Sequence, residues 1–279
     1  MKKWLLALLA LVLTAGLAAC GTSENNTSGE GGKEESKKIV VGASNVPHAE
    51  ILEEAKALYE EKGYEMEIKT FNDYVVPNQA LDSGELDANY FQHIPYLESQ
   101  MADNGYKFEN AGGIHIEPIG VYSQDYTTLD DLPKGAQIIM SSSVADHGRI
   151  LTMLEKEGLI TLKEGVEKVK ATIDDIAENP KELKFDTEYE AALLPQIFNN
   201  GEGDAVLINS NYAIDAGLNP LKDSIAIEES DSPYVNVIAV REGDADKPAI
   251  KALVEVLRSK EIQDFILEKY EGAVVPVKE

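Results

Sequence analysis

The feature that most constrains the fold is an alternation of strand and helix patterns that begins at Ile39. A short apolar strand pattern spans 39–42, and an amphipathic helix pattern follows over 49–61, with Gly63 as its stop. Residues 64–69 then alternate apolar and charged side chains with a period of two, as a half-buried strand does. Strand, helix and strand in this order predict a parallel βαβ unit, so we expect an α/β fold.

The alternation continues along the chain, and a turn-rich bend at 129–135 divides it into two runs. The later elements we predict are helices over 78–83, 147–157 and 188–198, strands over 86–91, 114–122, 136–140, 205–209 and 235–240, and one or two helices over 249–270. We therefore predict two α/β lobes, lobe 1 from 38–122 plus 234–279 and lobe 2 from 123–233. A cleft between two lobes is a common place for a small ligand.

One stretch, 81–97 (LDSGELDANYFQHIPYL), holds aromatic and hydrogen-bonding side chains at a density found nowhere else in the chain. It joins a strand pattern to a helix that we expect to begin at Pro95, because proline suits the first helical turn. Side chains at the carboxyl end of a strand in an open α/β sheet face the crevice where ligands bind. Phe91, His93 and Tyr96 would form an apolar wall with polar tips for a small ligand; ordinary core packing is the alternative.

The amino-terminal segment has the pattern of an export signal. Lys2 and Lys3 precede a continuous apolar run over 4–13, which is short for a membrane span. The sequence Leu-Ala-Ala-Cys at 17–20 resembles the bacterial lipobox, which implies cleavage before Cys20 and a diacylglycerol on its sulfur. A plain secretory signal with an incidental cysteine is the alternative.

We therefore predict a signal peptide over 1–19 and a lipidated cysteine with a flexible linker over 20–37, which is rich in Gly, Ser, Glu and Asn. A lipid anchor would hold the protein on the extracytoplasmic face of the cell membrane without a spanning helix. Gly21 and the long tether fit a lipoprotein of a Gram-positive bacterium.

Composition excludes several partners and cofactors. The net charge of −25 argues against binding to nucleic acid. A single cysteine excludes an intrachain disulfide and a cysteine metal cluster. The histidines are widely spaced and form no HxxxH pair, so we predict no metal site and no cofactor; they are His48, His93, His115 and His147.

Enzyme motifs are also missing from the sequence. Ser141, Ser142, Ser143, Asp146 and His147 lie close together, but there is no GxSxG elbow, and triads are recognised by geometry rather than by adjacency. Neither a phosphate-binding loop nor a GxGxxG motif occurs. We therefore expect a binding protein rather than an enzyme.

Arg149 is a candidate anion-binding residue. It falls in the first turn of the helix predicted over 147–157, where a cation opposes the helix dipole. That position is better explained if the guanidinium grips a carboxylate through two charge-assisted bonds. Asp146 precedes it by three residues and could cap the helix, pair with Arg149 or bind a ligand ammonium. A solvated surface arginine is the alternative.

Three asparagines follow or interrupt apolar strand patterns: Asn209, Asn211 and Asn236. A buried asparagine must find hydrogen-bond partners, and its amide can accept from an ammonium or donate to a carboxylate. For Asn211, a backbone cap in a turn is the strong alternative.

These motifs together resemble the NlpA family of methionine-binding lipoproteins, which serve the methionine ABC importer. The resemblance covers the chain from Ile39 to Pro276. Besides the lipobox, it rests on Asp73-Tyr74 followed by PNQAL at 77–81, DANYFQH at 87–93 with PYL at 95–97, Gly148-Arg149, Ile208-Asn209 with Asn211-Tyr212-Ala213, and SPYVN at 232–236.

The resemblance implies a two-lobed, type II periplasmic-binding-protein-like fold with the ligand in the interlobe cleft. Sulfur favours aromatic edges, which suits an aromatic pocket for a thioether. The implied ligand-binding residues are Tyr74, Phe91, His93 and Tyr96 for the thioether, Arg149 for the carboxylate, and Asn209 and Asn236 for the amino and carboxylate groups, with Asp146 and Asn211 as further candidates.

The function implied is capture of L-methionine outside the cell and its delivery to the permease and ATPase subunits of an ABC importer. A methionine-containing dipeptide or another apolar amino acid is an alternative ligand, and a metal-binding or adhesive surface lipoprotein is an alternative of another class. The sequence departs from the family at 141–146, where SSSVAD replaces PNDPTN, so that Asp146 stands where asparagine is usual. This change leaves the ligand preference open.

Overall fold

The computed structural model describes residues 36–277. The predicted signal peptide, Cys20 and the linker up to residue 35 lie outside the described residues, and they stay predictions. Within residues 36–277, no helix combines the length and the apolar character that a membrane crossing requires.

Two β-sheets organise the described part of the chain. The first has the strand order β13-β4-β12-β3-β1-β2 and the second has the order β11-β5-β10-β6-β9. The strands of the first sheet are β1 (Lys38–Ser44), β2 (Glu65–Phe71), β3 (Ala88–His93), β4 (Phe108–Ile116), β12 (Val235–Arg241) and β13 (Val275–Pro276). Those of the second are β5 (Gly120–Tyr122), β6 (Gln137–Ser141), β9 (Lys184–Tyr189), β10 (Ala205–Ile208) and β11 (Ala226–Ile227), and β7 (Thr161–Leu162) pairs separately with β8 (Ile176–Glu178).

Helices cover both faces of both sheets. They are α1 (Glu50–Glu61), α2 (Val76–Asp82), α3 (Ile94–Asn104), α4 (Val144–Lys156), α5 (Leu194–Asn199), α6 (Ser210–Asp215), α7 (Pro248–Leu257) and α8 (Lys260–Tyr270). We call the first sheet with α1–α3, α7 and α8 the first lobe, and the second sheet with α4–α6 the second lobe.

The predicted βαβ start is confirmed, because β1 pairs in parallel with both β2 and β3. Alternation of side chains along β1 explains the layering: Ile39 and Val41 pack with α1, α7 and α8, whereas Val40 faces the cluster formed by α2 and α3. Alternation along β6 does the same in the second lobe, where Ile138 faces α4 and Ile139 faces α5. Strands buried on both faces in this way need continuous apolar runs, as these have.

The chain crosses between the two sheets at 117–119 and again at 228–234. The strand pattern over 114–122 predicts one element, but the structure divides it: β4 ends at Ile116, and β5 pairs with β10 in the second sheet. Pro118 lies at the break and offers no backbone N–H to a ladder. The chain therefore passes from the first sheet to the second before residue 120. The lobe boundaries predicted at 122/123 and 233/234 stay predictions.

Two helix predictions need correction. The helix predicted over 147–157 begins at Val144, so Arg149 lies in its second turn and Asp146 in its first. Helix formation over the whole of 188–198 is wrong, because β9 runs to Tyr189 and α5 begins only at Leu194. Pro195 explains that late start, since proline is tolerated in the first turn of a helix but not in its interior.

Candidate ligand-binding site

Every residue predicted to bind ligand lines one cavity between the lobes. Its wall consists of Tyr74, Phe91, Gln92, His93, Tyr96, Glu117, Asp146, Arg149, Asn209, Ser210, Asn211 and Asn236. The cavity that these side chains enclose has a volume of about 20 Å³. A molecule the size of an amino acid can therefore enter only if the side chains or the lobes move apart.

The first lobe supplies an aromatic wall. Phe91 and His93 come from the end of β3, Tyr96 from the first turn of α3, and Tyr74 from the loop before α2. The Tyr74 ring centroid lies 5.9 Å from those of both Phe91 and Tyr96, and the Phe91 and Tyr96 rings meet edge to face at 6.1 Å. The hydroxyl of Tyr96 donates to the carbonyl of Tyr74 at 3.0 Å, so the loop and α3 are held together.

Three buried amides fix this wall from behind. The Asn78 amide donates to Gln92 at 3.0 Å, and Gln92 donates back to Asn78 at 2.8 Å and to Asn89 at 2.9 Å. Asn89 in turn donates to Asn78 at 2.9 Å. All three are buried. The network ties α2 to β3 and explains why asparagine and glutamine interrupt an otherwise apolar strand.

The second lobe supplies a buried ion pair. Arg149 donates from Nε to Asp146 Oδ1 at 2.9 Å and from Nη2 to the same oxygen. Its Nη1 reaches the carbonyl of Glu117 and the carboxylate of Glu228, each at 3.3 Å. Its guanidinium also lies 4.9 Å from the ring centroid of Tyr234. Arg149 is therefore buried and paired, which excludes the solvated-arginine alternative.

Burial and ion pairing have opposite effects on the pKa values of Asp146 and Arg149. Burial alone would raise the pKa of Asp146, but the Arg149 charge and the hydrogen bond from His93 hold that pKa well below its usual range. Burial likewise opposes the charge of Arg149, but Asp146 and Glu228 raise its pKa. Both groups are charged at neutral pH. Asp146 does not cap α4 as one alternative supposed; the N-cap is Ser143, without a side-chain bond.

Gly148 sets the position of Arg149. A Cβ atom at this glycine would lie 2.4 Å from the carbonyl oxygens of Lys168 and Val169. Only glycine therefore lets α4 approach that backbone, and the Gly148-Arg149 motif is explained by this close contact.

Hydrogen bonds cross the cleft between the lobes. His93 accepts at Nδ1 from the backbone N–H of Tyr96, so its proton lies on Nε2, which donates to Asp146 Oδ1 at 3.1 Å. The Tyr74 hydroxyl donates to Asn211 Oδ1 at 2.6 Å. These contacts hold the described lobes in a closed arrangement.

The asparagines are buried, and each has a different partner. Asn209 follows β10 and donates to Asp146 Oδ2 at 3.3 Å, while its Oδ1 has no hydrogen-bond partner in the described part of the chain. Asn211 lies in α6 and accepts from Tyr74, so it is not merely a turn cap. Asn236 lies opposite His93 of β3 and His115 of β4 in the ladder, and its Oδ1 lies 3.1 Å from His48 Nε2.

Three cavity residues were not predicted: Gln92, Glu117 and Ser210. Gln92 stands inside the FQH motif at 91–93, between Phe91 and His93, which are both predicted site residues. Glu117 is one of 50 acidic residues, and nothing in its neighbourhood separates it from the rest. Ser210 directly follows Asn209 and donates to the carbonyl of Pro118, so its place beside the predicted asparagine was the available signal.

Two histidines that are distant in sequence lie close together beside the cavity. Three atoms that could bind a metal, one each from His48, His115 and Glu117, lie within 4.8 Å of one another. Linear spacing gave no sign of this group. His115 Nε2 lies 2.7 Å from Glu117 Oε1, and His48 Nε2 lies 3.2 Å from the same oxygen. Hydrogen bonds therefore account for the contacts of these atoms with Glu117.

Comparison with known proteins identifies the family. The sequence pattern that defines the NlpA lipoproteins matches residues 39–278. The chain belongs to the NlpA lipoprotein family. A relative in this family, the methionine-binding lipoprotein MetQ of Bacillus subtilis, is 53% identical over 281 residues, with both chains covered completely.

Two solved structures agree with this membership. A lipoprotein from Bacillus subtilis is 54% identical and superposes with a TM-score of 0.85, over 87% of this chain and 99% of that one. A nutrient-binding protein from Burkholderia cenocepacia, determined bound to methionine, is 44% identical with a TM-score of 0.81, over 86% of this chain and all of that one. The predicted two-lobed α/β fold is confirmed, and membership of the NlpA family implies a binding role and a lipoprotein held outside the cytoplasm.

Proposed function

We propose that this protein binds methionine outside the cell and delivers it to an ABC importer. The observation that carries the proposal is the cavity itself: an aromatic wall faces a buried guanidinium and buried amides, in a chain whose full-length relative is a methionine-binding lipoprotein. Free methionine has the complementary parts: an unbranched apolar thioether side chain and a zwitterionic end.

The aromatic wall of the first lobe suits the thioether. Tyr74, Phe91 and Tyr96 present ring edges and faces at centroid distances near 6 Å, and sulfur contacts aromatic rings favourably at about 5 Å. Such a pocket selects for a flexible, polarizable chain over a branched one. We therefore assign the side-chain end of the ligand to this wall.

The polar end of the ligand is assigned to the opposite wall. Arg149 binds the carboxylate, for which its planar fork is well shaped. The carboxylates of Asp146 and Glu117 and the unpaired Oδ1 of Asn209 are acceptors for the ammonium. Asp146 already contacts Arg149, so bound ligand must share that guanidinium with it.

Binding is coupled to closure of the two lobes. The cavity is too narrow for an amino acid to pass, and residues of both lobes line it. Opening at the two crossing segments admits the ligand, and closure buries it, as in hinge-bending binding proteins. A closed, loaded protein is then the form that the permease and ATPase subunits of the importer would distinguish from the open one.

The anchor in this proposal is the lipid on Cys20, with the linker as a tether at the membrane surface. The 53% identity to a Bacillus protein supports a Gram-positive source. Nucleic acid is not a partner, given the net charge of −25.

Titration calorimetry tests the ligand assignment. The purified protein is unfolded, dialysed and refolded to remove any bound molecule, and is then titrated with L-methionine, D-methionine, methionylglycine and L-leucine. Tight binding of methionine, with leucine at least about tenfold weaker, is expected from the aromatic wall. Preference for the dipeptide would move the assignment to that ligand, and failure to bind any of the four would refute the proposal.

A further inference from the structure

A buried chain of hydrogen bonds lies directly behind the cavity. It consists of Tyr90 on β3, His115 at the end of β4, Glu117, His48 in the turn before α1, and Asn236 on β12. Tyr90, His48 and His115 are buried completely or nearly so, and Glu117 and Asn236 have small exposed fractions of 6% and 5%. Only Glu117 and Asn236 of the five line the cavity.

Proton positions in this chain follow from the carboxylate of Glu117. Two ring nitrogens, His115 Nε2 and His48 Nε2, point at the same oxygen at 2.7 and 3.2 Å. A carboxylate oxygen accepts, so both nitrogens carry hydrogen. His115 then has a lone pair on Nδ1, which accepts from the hydroxyl of Tyr90.

His48 also touches the amide of Asn236. Its Nε2 lies 3.1 Å from Asn236 Oδ1, so the same N–H is shared between the amide oxygen and Glu117. Burial lowers the pKa of His48 to about 4, so the ring is neutral at physiological pH. Its Nδ1 is buried and has no partner in residues 36–277.

The shared N–H decides which way the Asn236 amide faces. With Oδ1 turned to His48, the NH₂ group is the end left for the cavity that Asn236 lines. The flipped amide would set its NH₂ group against the N–H of His48. The Asn236 side chain therefore presents two donors, and no acceptor, to a ligand.

We propose that His48 is a positioning residue that holds the Asn236 amide with its NH₂ group toward the ligand, and so makes the site selective for a carboxylate over an uncharged carboxamide. The inference rests on the proposed function and deepens it. His48 does not touch the ligand; it acts through Asn236, and Glu117 fixes the ring tautomer that lets it do so.

The test measures affinity for two ligands, L-methionine and L-methioninamide, whose carboxylate is replaced by a neutral amide. The full chain is purified in detergent, freed of ligand, and compared with His48→Leu and His48→Gln. Tyr59→Phe is the matched control, because it removes one buried hydrogen bond of the same lobe, to the carbonyl of Ala249, away from the cavity.

For His48→Leu we expect about a tenfold loss of the preference for methionine over methioninamide, which is the effect of misplacing one donor to a charged acceptor. His48→Gln carries a side-chain N–H of similar reach and should restore the preference to within about threefold. Tyr59→Phe should keep the parent preference. In an Asn236→Ala background, His48→Leu should change the preference no further.

An unchanged preference in His48→Leu overturns the inference. This includes an equal loss of affinity for both ligands, which marks a merely structural role. Nitrogen NMR of the unaltered protein supplies a second test that needs no variant: His48 protonated on Nε2 is expected, and protonation on Nδ1 alone overturns the inference. Failure of the parent to bind methionine refutes the proposed function instead, so the two failures are distinct.

Discussion

The two walls of the cavity are built in different ways. The wall from the first lobe presents aromatic rings and is held by hydrogen bonds between uncharged side chains, those of the three amides, of Tyr90 with His115 and of His48 with Asn236, with the carboxylate of Glu117 as a further acceptor. The wall from the second lobe is held by charge, with Arg149 between Asp146 and Glu228. Side-chain repacking can accommodate a substitution in the first wall. In the second wall, removal of one partner of the ion pair leaves the other charge buried and unpaired.

The neutral wall and the charged wall also come from different elements of the fold. In the first wall, Phe91, His93 and Asn236 lie on strands β3 and β12, where the ladder fixes their direction, whereas Tyr96 lies in α3 and Tyr74 in the loop before α2. The charged pair lies on adjacent turns of α4, where residues three apart are neighbours on one helix face. The charge of the cavity wall therefore comes from one helix face, whereas the aromatic wall combines residues of a strand, a helix and a loop.

Replacing Arg149 should have the largest effect, because it breaks the charged wall. Arg149→Met removes the carboxylate partner and leaves Asp146 buried without its cation. We expect affinity for methionine to fall by about 100-fold or more and the free energy of unfolding to fall by about 3–5 kcal/mol. Calorimetric titration and urea unfolding measure the two quantities.

The double variant Asp146→Asn/Arg149→Met separates the two effects, since no unpaired charge of that pair remains. It should recover much of the lost stability without recovering affinity. Lys222→Met is the control, because Lys222 and its partner Glu271 are both exposed, and it should change neither quantity. Parent-like affinity in Arg149→Met would show that the charged wall does not hold the ligand.

Acid should weaken the neutral wall before the charged one. Burial lowers the pKa of His48 to about 4 and that of His115 to about 3, so between those values and about 6.5 the unfolded chain binds protons that the folded chain does not. Stability is therefore lost as pH falls below about 6.5, by about 1–2 kcal/mol for each histidine at pH 5. Asp146 has a lowered pKa, and its contribution is lost only below the unfolded value of about 3.8.

Urea unfolding of the parent and of His48→Gln at pH 7 and pH 5 checks this order. The loss between the two pH values should be smaller in the variant, because one titrating group is gone. The groups that face His48 are Glu117, His115, Asn236 and Tyr90; burial raises the pKa of Glu117, which acts with the opposite sign. Equal losses in the two proteins would contradict the assignment of the effect to His48.

Changing the aromatic wall should have the smallest effect. Phe91→Leu keeps an apolar side chain but removes the ring next to Tyr74 and Tyr96, so we expect a three- to tenfold loss of affinity for methionine and a reduced preference over leucine. The expected loss of stability is about 1 kcal/mol. Phe265→Leu, on α8 away from the cavity, should leave both affinities unchanged; an unaltered preference in Phe91→Leu would place the thioether elsewhere.

The sequence was informative where the site is local. Phe91, His93 and Tyr96 stand close together in the chain, and the spacing of Asp146 and Arg149 puts them on one helix face. The three asparagines were candidates because they follow or interrupt strand patterns, and the resemblance to the NlpA family added Tyr74. Periodicity also predicted the βαβ order, because buried strands and amphipathic helices leave different repeats.

Contacts between distant segments could not be predicted. His48 and Asn236 meet although 188 positions separate them, and nothing near either residue indicates the other. The helix that begins at Val144 starts three residues earlier than predicted, at the S-x-x-D pattern of Ser143–Asp146, although the Ser143 side chain makes no cap hydrogen bond. Glu117 lies beside the cleft because β4 ends at Ile116 and the chain crosses there to the second sheet.

The position of β12 in the first sheet sets the order in which the protein can fold. β12 lies between β3 and β4, so these two strands, although made early, have no partner between them until Val235–Arg241 has been synthesised. The second sheet takes all its strands from the segment 120–227 and can be completed before that point. We therefore expect the first lobe, with its long-range closing strand, to fold more slowly than the second, and Asn236 to take its place in the cavity wall only when that central strand joins the sheet.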